Sequence, residues 1–315
     1  MMKRKTLMAI GKRVLVNLLI LMAILSLVIA VTGIPMDFGV SYYDGESMIS
    51  LTVKDALESI KSNFKLILSG DAFKVMIKSE TTLQVLIIAA KRSFIVLFFG
   101  TLLALVIGVL KGIIDSRKKN KAGTLKLLQS LIPLSLPDIL VITLIQLGAM
   151  YLFKNDIPFL GFGIIPFFGD DTLAHAIFPI LSIAILPAAY LSRTVANVIE
   201  EGLSKPYILT ARGKGCSMFQ IIKTHLSKQI AFGVLSVLPT VMGIMFSSLV
   251  IVEMFFQYRG IGYHLIYFYT TTLVPQYEAG VAFSVFIVSL ALVYYVIFMA
   301  LNMLKDVVMP RIKAD

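Results

Sequence analysis

The groups that carry most enzyme chemistry are scarce in this sequence. Its 315 residues include one cysteine, three histidines and no tryptophan. A single thiol, Cys216, forms no internal disulfide, so cysteine usage says nothing about redox compartment. His175, His225 and His264 lie far apart and lack metal-ligand spacing, so no metal is expected. There is no phosphate-binding loop either. The nearest run, Arg212-Gly213-Lys214-Gly215, has Gly215 where the motif needs Ser or Thr and Ile208 where it needs its first glycine. ATP binding by that motif is excluded and no cofactor is implied. Gly260-Ile-Gly262 is a lone GxG pair and reads as a turn. Charge is also sparse, at 15% against about 25% in an ordinary globular chain.

What replaces these groups is apolar. Hydrophobic residues make up 58% of the chain, against about 45–50% in a soluble protein. So apolar a chain cannot cover its own surface in water, and lipid is the solvent that fits. Disorder and disulfide scaffolds are excluded by the same composition. The 29 Lys+Arg outnumber the 18 Asp+Glu. In a soluble chain this would raise nucleic-acid binding. Here the basic residues fall between apolar runs, so their placement is a question of membrane orientation and no nucleic-acid partner is expected.

A span needs about 20 mostly apolar residues. Six runs qualify: 14–36, 93–110, 127–153, 172–192, 229–252 and 279–304. Only the third holds a charge, Asp138, placed near its middle after Pro137. Run 14–36 is too long for a signal peptide and lacks a convincing cleavage site, so it reads as a retained helix. Twenty of the 29 basic residues lie in the amino-terminal tail, the loops after spans 2 and 4, and the carboxy-terminal tail. The positive-inside rule places those segments, and both termini, on the cytoplasmic side of the membrane. Gly108-x-x-x-Gly112 matches a small-residue helix-packing pattern.

The segment 34–92 is more than a turn. Thr52 with Asp55 resembles a helix start, and Val53, Leu57, Ile60, Phe64, Ile67 and Leu68 share one face. Ser69-Gly70 ends that pattern. Residues 72–90 read as a second helix lying on the outer membrane surface and feeding span 2.

The loop between spans 4 and 5 has an internal plan. Pro206 suits a first helical turn. A short helix through Tyr207, Leu209, Thr210 and Ala211 follows, and Gly213 and Gly215 let it stop and turn. Ser217-Met-Phe-Gln220 then reads as a capping box that opens a helix running into span 5. The small residues Ala211, Gly213 and Gly215 are expected to let another protein's backbone approach closely. A plain amphipathic connector is the alternative.

Tyr207-Ile-Leu-Thr-Ala-Arg-Gly-Lys-Gly215, followed by His225-Leu-Ser-Lys-Gln229, resembles the Y-x-x-T-A-R-x-K-G…H-x-L-x-N segment of ABC importer permeases, in the dipeptide/oligopeptide/nickel branch. Ala211 and Gly215 fall on the second alanine and the glycine of that family's EAA motif, and Thr210 stands for its first alanine. Leu209 occupies the glutamate position, and Ser227-Lys228 the usual leucine-proline. Leu134-Ser-Leu-Pro137, Pro179 with Pro187, Tyr190-Leu-Ser-Arg193 and Glu253-x-x-Phe256-x-x-x-Gly260-x-Gly262 resemble further family elements, so the likeness covers roughly residues 85–305.

This resemblance implies an all-α polytopic membrane protein with the six-helix transmembrane domain of a type I ABC importer. Residues 1–92 would form a tail, a first span and an extracytoplasmic helical segment. Residues 93–304 would form a permease core with the coupling loop 197–228, and residues 305–315 a cytoplasmic tail. A companion permease, two cytoplasmic ATPases and an extracytoplasmic binding protein are the implied partners, with the bilayer around them. Tyr207, Thr210, Ala211, Arg212 and Gly215 would couple to an ATPase. Asp138, Pro239, Gly243 and Ser247 are pathway candidates, with Ser248 beside them. Glu253, Gly260 and Gly262 are candidates for the outer mouth. No catalytic residue is implied, so the chain is not expected to be an enzyme. Peptides are the first substrate, with nickel or opines as alternatives. A self-sufficient secondary transporter or channel is the rival class. It needs intramembrane ionisable groups and often internal repeats, whereas only Asp138 falls inside a span and no repeat relates the two halves.

Overall fold

The computed structural model describes residues 2–34, 40–43, 46–49, 53–116, 136–160, 163–271 and 276–314. Hydrocarbon offers backbone amides no partner, so a spanning chain must close its hydrogen bonds within helices. The described chain obeys this and is dominated by long helices. It divides into two compact units, Met1–Lys91 with Gly260–Met299, and Arg92–Arg259 with Ala300–Asp315.

The first unit opens with α1 (Met2–Thr32) and an antiparallel hairpin of β1 (Val40–Tyr43) and β2 (Glu46–Ile49), with Val40 opposite Ile49. Helix α2 (Val53–Ser69) follows. It ends at Gly70, whose φ of 79° is the left-handed value glycine adopts without strain. The α2 helix matches the apolar face read from sequence, although Thr52 lies outside the described residues. The second outer helix does not form. In place of a helix over 72–90 there is a 3₁₀ turn (Asp71–Lys74), then a small hairpin of β3 (Met76–Ile77) and β4 (Glu80–Thr81). Ser69 and Lys74 both hydrogen-bond Asp71 in that turn and hold its carboxyl below the usual range, Lys74 with the larger effect.

The reason is an overlooked cap. Thr81 and Gln84 bond each other reciprocally, the Thr81 amide donating to Gln84 Oε1 at 2.9 Å and the Gln84 amide to Thr81 Oγ1 at 3.3 Å. This capping box starts α3 (Thr82–Ser116), so residues 82–90 are the first turns of the second span. Helices α9 (Ile261–Thr270) and the first part of α10 (Gln276–Ala314) complete the unit. Asn63 of α2 donates to Ile29 O at 3.3 Å and Ser284 Oγ at 3.2 Å. Phe268 and Phe286 meet edge-on with centroids 5.3 Å apart.

The second unit takes α3 from Arg92 onward and adds α4 (Asp138–Lys154), a 3₁₀ turn (Leu173–Ala176) and α5 (Ile177–Leu203). Helices α6 (Pro206–Gly213) and α7 (Met218–Ile221), a π turn (Ile222–Leu226) and α8 (Ser227–Phe255) follow. Among the described residues, five stretches are long and apolar enough to span: Leu15–Thr32, Thr82–Ser116, Leu173–Leu203, Met218–Phe255 and Tyr277–Lys305. Helix α4 stands at the remaining expected span. Residues 127–135 of that span lie outside the described residues, as do Lys118 and Lys119 of the preceding basic loop.

The Gly108–Gly112 pattern marks a real crossing of α3 on α5. A Cβ at Gly108 would lie 2.6 Å from Leu191 Cβ, and one at Gly112 would lie 2.6 Å from Val195 Cβ and 2.7 Å from Ser192 O. Gly100 adds a third close approach, 2.5 Å from Ile183 Cγ2. Where lipid replaces water, such close backbone contact is a main source of helix association. Gly108→Ala and Gly112→Ala should therefore each destabilise the protein by about 1–3 kcal/mol. Gly148→Ala in α4 meets nothing within 4 Å and should be neutral or stabilise by up to about 1 kcal/mol. Reversible unfolding in sodium dodecyl sulfate reads all three.

Candidate functional site

The 205–229 loop is built around one small apolar core. Lys205 precedes Pro206, which opens α6. Ile208 and Ala211 are buried with Val195, Ile199 and Leu203 of α5 and with Ile221, Ile222, Leu226 and Ile230. The helix then ends in a Schellman motif. The Gly215 amide donates to Arg212 O at 2.9 Å and the Cys216 amide to Ala211 O at 3.2 Å. Gly215 has a φ of 81°, which its missing Cβ permits. The predicted capping box is present: Ser217 accepts from the Gln220 amide, and the Ser217 amide donates to Gln220 Oε1 at 2.8 Å. Tyr207 OH accepts from Gln229 Nε2 at 2.7 Å and stands 6.4 Å, centroid to centroid, from His225. Three separated motif positions thus meet on one side of the loop.

This arrangement changes the role of one expected residue. Ala211 does not face outward; it is 7% exposed and packs into the chain's own core. The exposed side carries Leu209 (56%), Tyr207 and Phe219, with Thr210, Arg212, Gly213 and Gly215. Large apolar side chains left open on a basic loop mark a surface for a partner. A Cβ at Gly213 or Gly215 would meet nothing within 4 Å of its own chain.

The pathway candidates are also redistributed. Asp138 is not in the middle of a continuous helix. Pro137, with ψ at 136°, breaks the backbone just before it, and α4 begins at Asp138. A carboxylate in the first turn suits the positive end of the helix dipole. Its Oδ2 accepts from Ser248 Oγ of α8 at 2.6 Å. Gln146 Nε2 ties the same two helices by donating to Phe255 O at 2.5 Å. Along α8, Thr240 and Ser247 are exposed and Gly243 is half-buried, whereas Pro239 and Ser248 are buried. Pro239 therefore does not share the open face.

The far end of α8 differs most from expectation. Glu253 is fully buried and accepts from Ser93 Oγ of α3 at 2.6 Å. Its own carbonyl accepts from the Tyr258 amide at 2.9 Å. Gly260 and Gly262 are buried as well, and they form no isolated turn. Gly260 caps α9 and Gly262 lies in its first turn. None of the three is an exposed rim residue. A buried carboxylate missed at the sequence level sits nearby. The Asp170 side chain is fully enclosed and held by two arginines. Arg259 donates to Oδ1 from Nε at 3.1 Å and from Nη2 at 2.7 Å. Arg92 Nη1 lies 2.6 Å from Oδ2, a close ion pair without hydrogen-bond geometry. Burial pushes the Tyr258 phenol up; Arg92 opposes this while Glu253 and Asp170 reinforce it. No group of three or more His, Cys, Asp or Glu able to hold a metal occurs among the described residues.

Residues 100–314 match the family of binding-protein-dependent transport system inner membrane components. The chain belongs to this family. It is therefore a multi-pass membrane permease of an ABC importer, working with a binding protein and an ATPase. The dipeptide transport system permease protein DppB of Lactococcus lactis subsp. cremoris is 28% identical over 241 residues, which cover 74% of this permease and 73% of the relative. The Escherichia coli K12 protein of the same name is 27% identical over 143 residues, 45% of this permease and 40% of the relative. A putative peptide transport system permease protein of Brucella abortus is 26% identical over 159 residues, 49% and 48% of the two chains. The family match takes in α4 to α10 and about half of α3, and leaves out α1 and α2.

Removing the buried Asp170 leaves two arginines without their counter-charge. Breaking a fully buried pair costs about 3–5 kcal/mol. The Arg259 side chain is 53% exposed, so about 2–4 kcal/mol is expected for Asp170→Ala in the permease. Asp170→Glu should recover less than half of this. Thermal unfolding of the two purified variants in mild detergent tests both.

Proposed function

We propose that this permease forms half of the translocation pathway of an ATP-driven importer for peptides. A similar but distinct companion permease supplies the other half. Two ATPase subunits dock from the cytoplasm, where both termini lie, and an extracytoplasmic binding protein delivers the substrate. The chain performs no covalent step of its own, because nucleotide hydrolysis belongs to the docked subunits. Residues 93–304 act as the core, 1–92 as an amino-terminal addition and 305–315 as a tail. The peptide substrate is supported by the names of the three relatives.

One observation carries the coupling role. Helix α6 is fastened to its own chain by Ile208 and Ala211 and leaves Leu209, Arg212 and Gly213 exposed, as Phe219 is on α7. A short helix anchored on one side and open on the other can pass a partner's movement directly to α5 and α8. Asp138, Gly243 and Ser247 stay in the proposed pathway, with the carboxylate meeting a cationic substrate group. Pro239, Glu253, Gly260 and Gly262 fall outside both roles because they are buried.

The test separates docking from folding. Removing an interface anchor typically costs about 2 kcal/mol or more, roughly a thirtyfold loss of docking. Leu209→Asp with Phe219→Asp should leave insertion and thermal stability unchanged, while ATPase co-purification and peptide uptake fall by about that factor. Ala211→Leu should instead destabilise the permease itself by about 1–3 kcal/mol through overpacking. Normal uptake by the double variant would remove this loop from coupling. Asp138→Asn should lower uptake with assembly intact, and unchanged uptake would take Asp138 out of the pathway.

A further inference from the structure

Helix α2 has one apolar face that its own chain covers only in part. At about 100° per residue, Val53, Leu57, Phe64 and Leu68 fall within an arc of about 60°. Ile60 and Ile67 extend the arc on one side, where Ile60 and Asn63 meet the end of α1. A Cβ at Gly33 would lie 2.9 Å from Ile60 Cα and 3.2 Å from Asn63 Cβ, so the two backbones nearly touch. The rest of the face, out to its other edge, is open: Val53 is 80%, Leu57 61% and Leu68 76% exposed. Lys54, Lys61 and Lys65 line that open edge and are exposed, while Asp55 and Glu58 lie further round the helix.

The depth of this helix follows from its anchor. The apolar stretch Leu15–Thr32 is long enough to span. Gly33 and Ile29, the residues that α2 touches, lie at its very end. The helix therefore crosses α1 where the hydrocarbon gives way to head groups. At that level an apolar edge bordered by lysines has a fitting occupant. Aliphatic side chains enter the acyl boundary and lysines extend their ammonium groups up to lipid phosphates.

We propose that α2 lies in the head-group layer and binds anionic phospholipid. Val53, Leu57 and Leu68 enter the acyl boundary, and Lys54, Lys61 and Lys65 contact the phosphates. The inference rests on the reading of α1 as a membrane span and goes beyond transport, because it concerns a region outside the family match.

Single spin labels test it in the permease assembled with its partner subunits in nanodiscs, in a Cys216→Ser background. Leu57→Cys and Leu68→Cys carry the test, Ser62→Cys marks the polar side and Leu27→Cys, on the exposed face of α1, checks the span. Labels at 57 and 68 should collide with oxygen several-fold more, and with a water-soluble nickel chelate several-fold less, than the label at 62. The embedded fraction should be larger in phosphatidylglycerol than in phosphatidylcholine, at about fivefold per lysine, and Lys54→Gln with Lys61→Gln and Lys65→Gln should erase that difference. Nickel access at 57 and 68 equal to that at 62, with Leu27 still in lipid, overturns the proposal and spares the span. Nickel access at Leu27 as well overturns both. Shielding of 57 and 68 from both reagents only when the soluble binding protein is added overturns it in favour of protein docking. Equal embedding in the two lipids overturns the head-group contact.

Discussion

A polar group in hydrocarbon has no water to turn to, and the second unit of this permease is organised by that constraint. Its helices close their backbone hydrogen bonds internally. Three of its carboxylates are met by protein: Ser248 holds Asp138, Ser93 holds Glu253, and two arginines enclose Asp170. Since lipid is as apolar as leucine, association must come from packing and from such polar ties. The three glycines of α3 show the packing half of this arrangement. Each lies where a side chain of α5 occupies the space that a Cβ would need.

The same division between enclosed and open surface gives the 205–229 loop its character. Ile208 and Ala211 commit one side of α6 to the chain's own core, and the Schellman turn at Gly215 returns the backbone to α7. Between α7 and α8 the helical run passes through a π turn, Ile222–Leu226, a geometry frequent at functional sites. The side chains left outside include Leu209, Arg212 and Phe219. A rigidly mounted patch transmits displacement, whereas a loosely tethered one would absorb it.

Much of this was legible in the sequence, where the physics is local. Apolar runs located the spans, Pro206 and Ser217-x-x-Gln220 located the loop helices, and Gly108-x-x-x-Gly112 located a crossing. The Thr81–Gln84 capping box is equally local, and it makes residues 82–90 the start of the second span and not part of an interfacial helix. What sequence did not disclose depends on partners far along the chain. Ala211 reads as a small surface residue until α5 and α8 are brought against it. Glu253 reads as a rim charge until Ser93, 160 positions away, is seen to cap it. Asp170 carried no signal at all, because its arginines lie 78 and 89 positions away.

In the proposed importer the outward face of α6 meets the ATPase. A photo-reactive amino acid placed at Leu209 or at Phe219, in cells expressing the whole transporter, tests this directly. Leu173, also exposed and in the 3₁₀ turn that precedes α5, serves as the reference. The account predicts a cross-link to an ATPase subunit from 209 and 219 and none from 173. An ATPase adduct at 173, or none at 209 and 219 while the transporter is assembled and active, would contradict it.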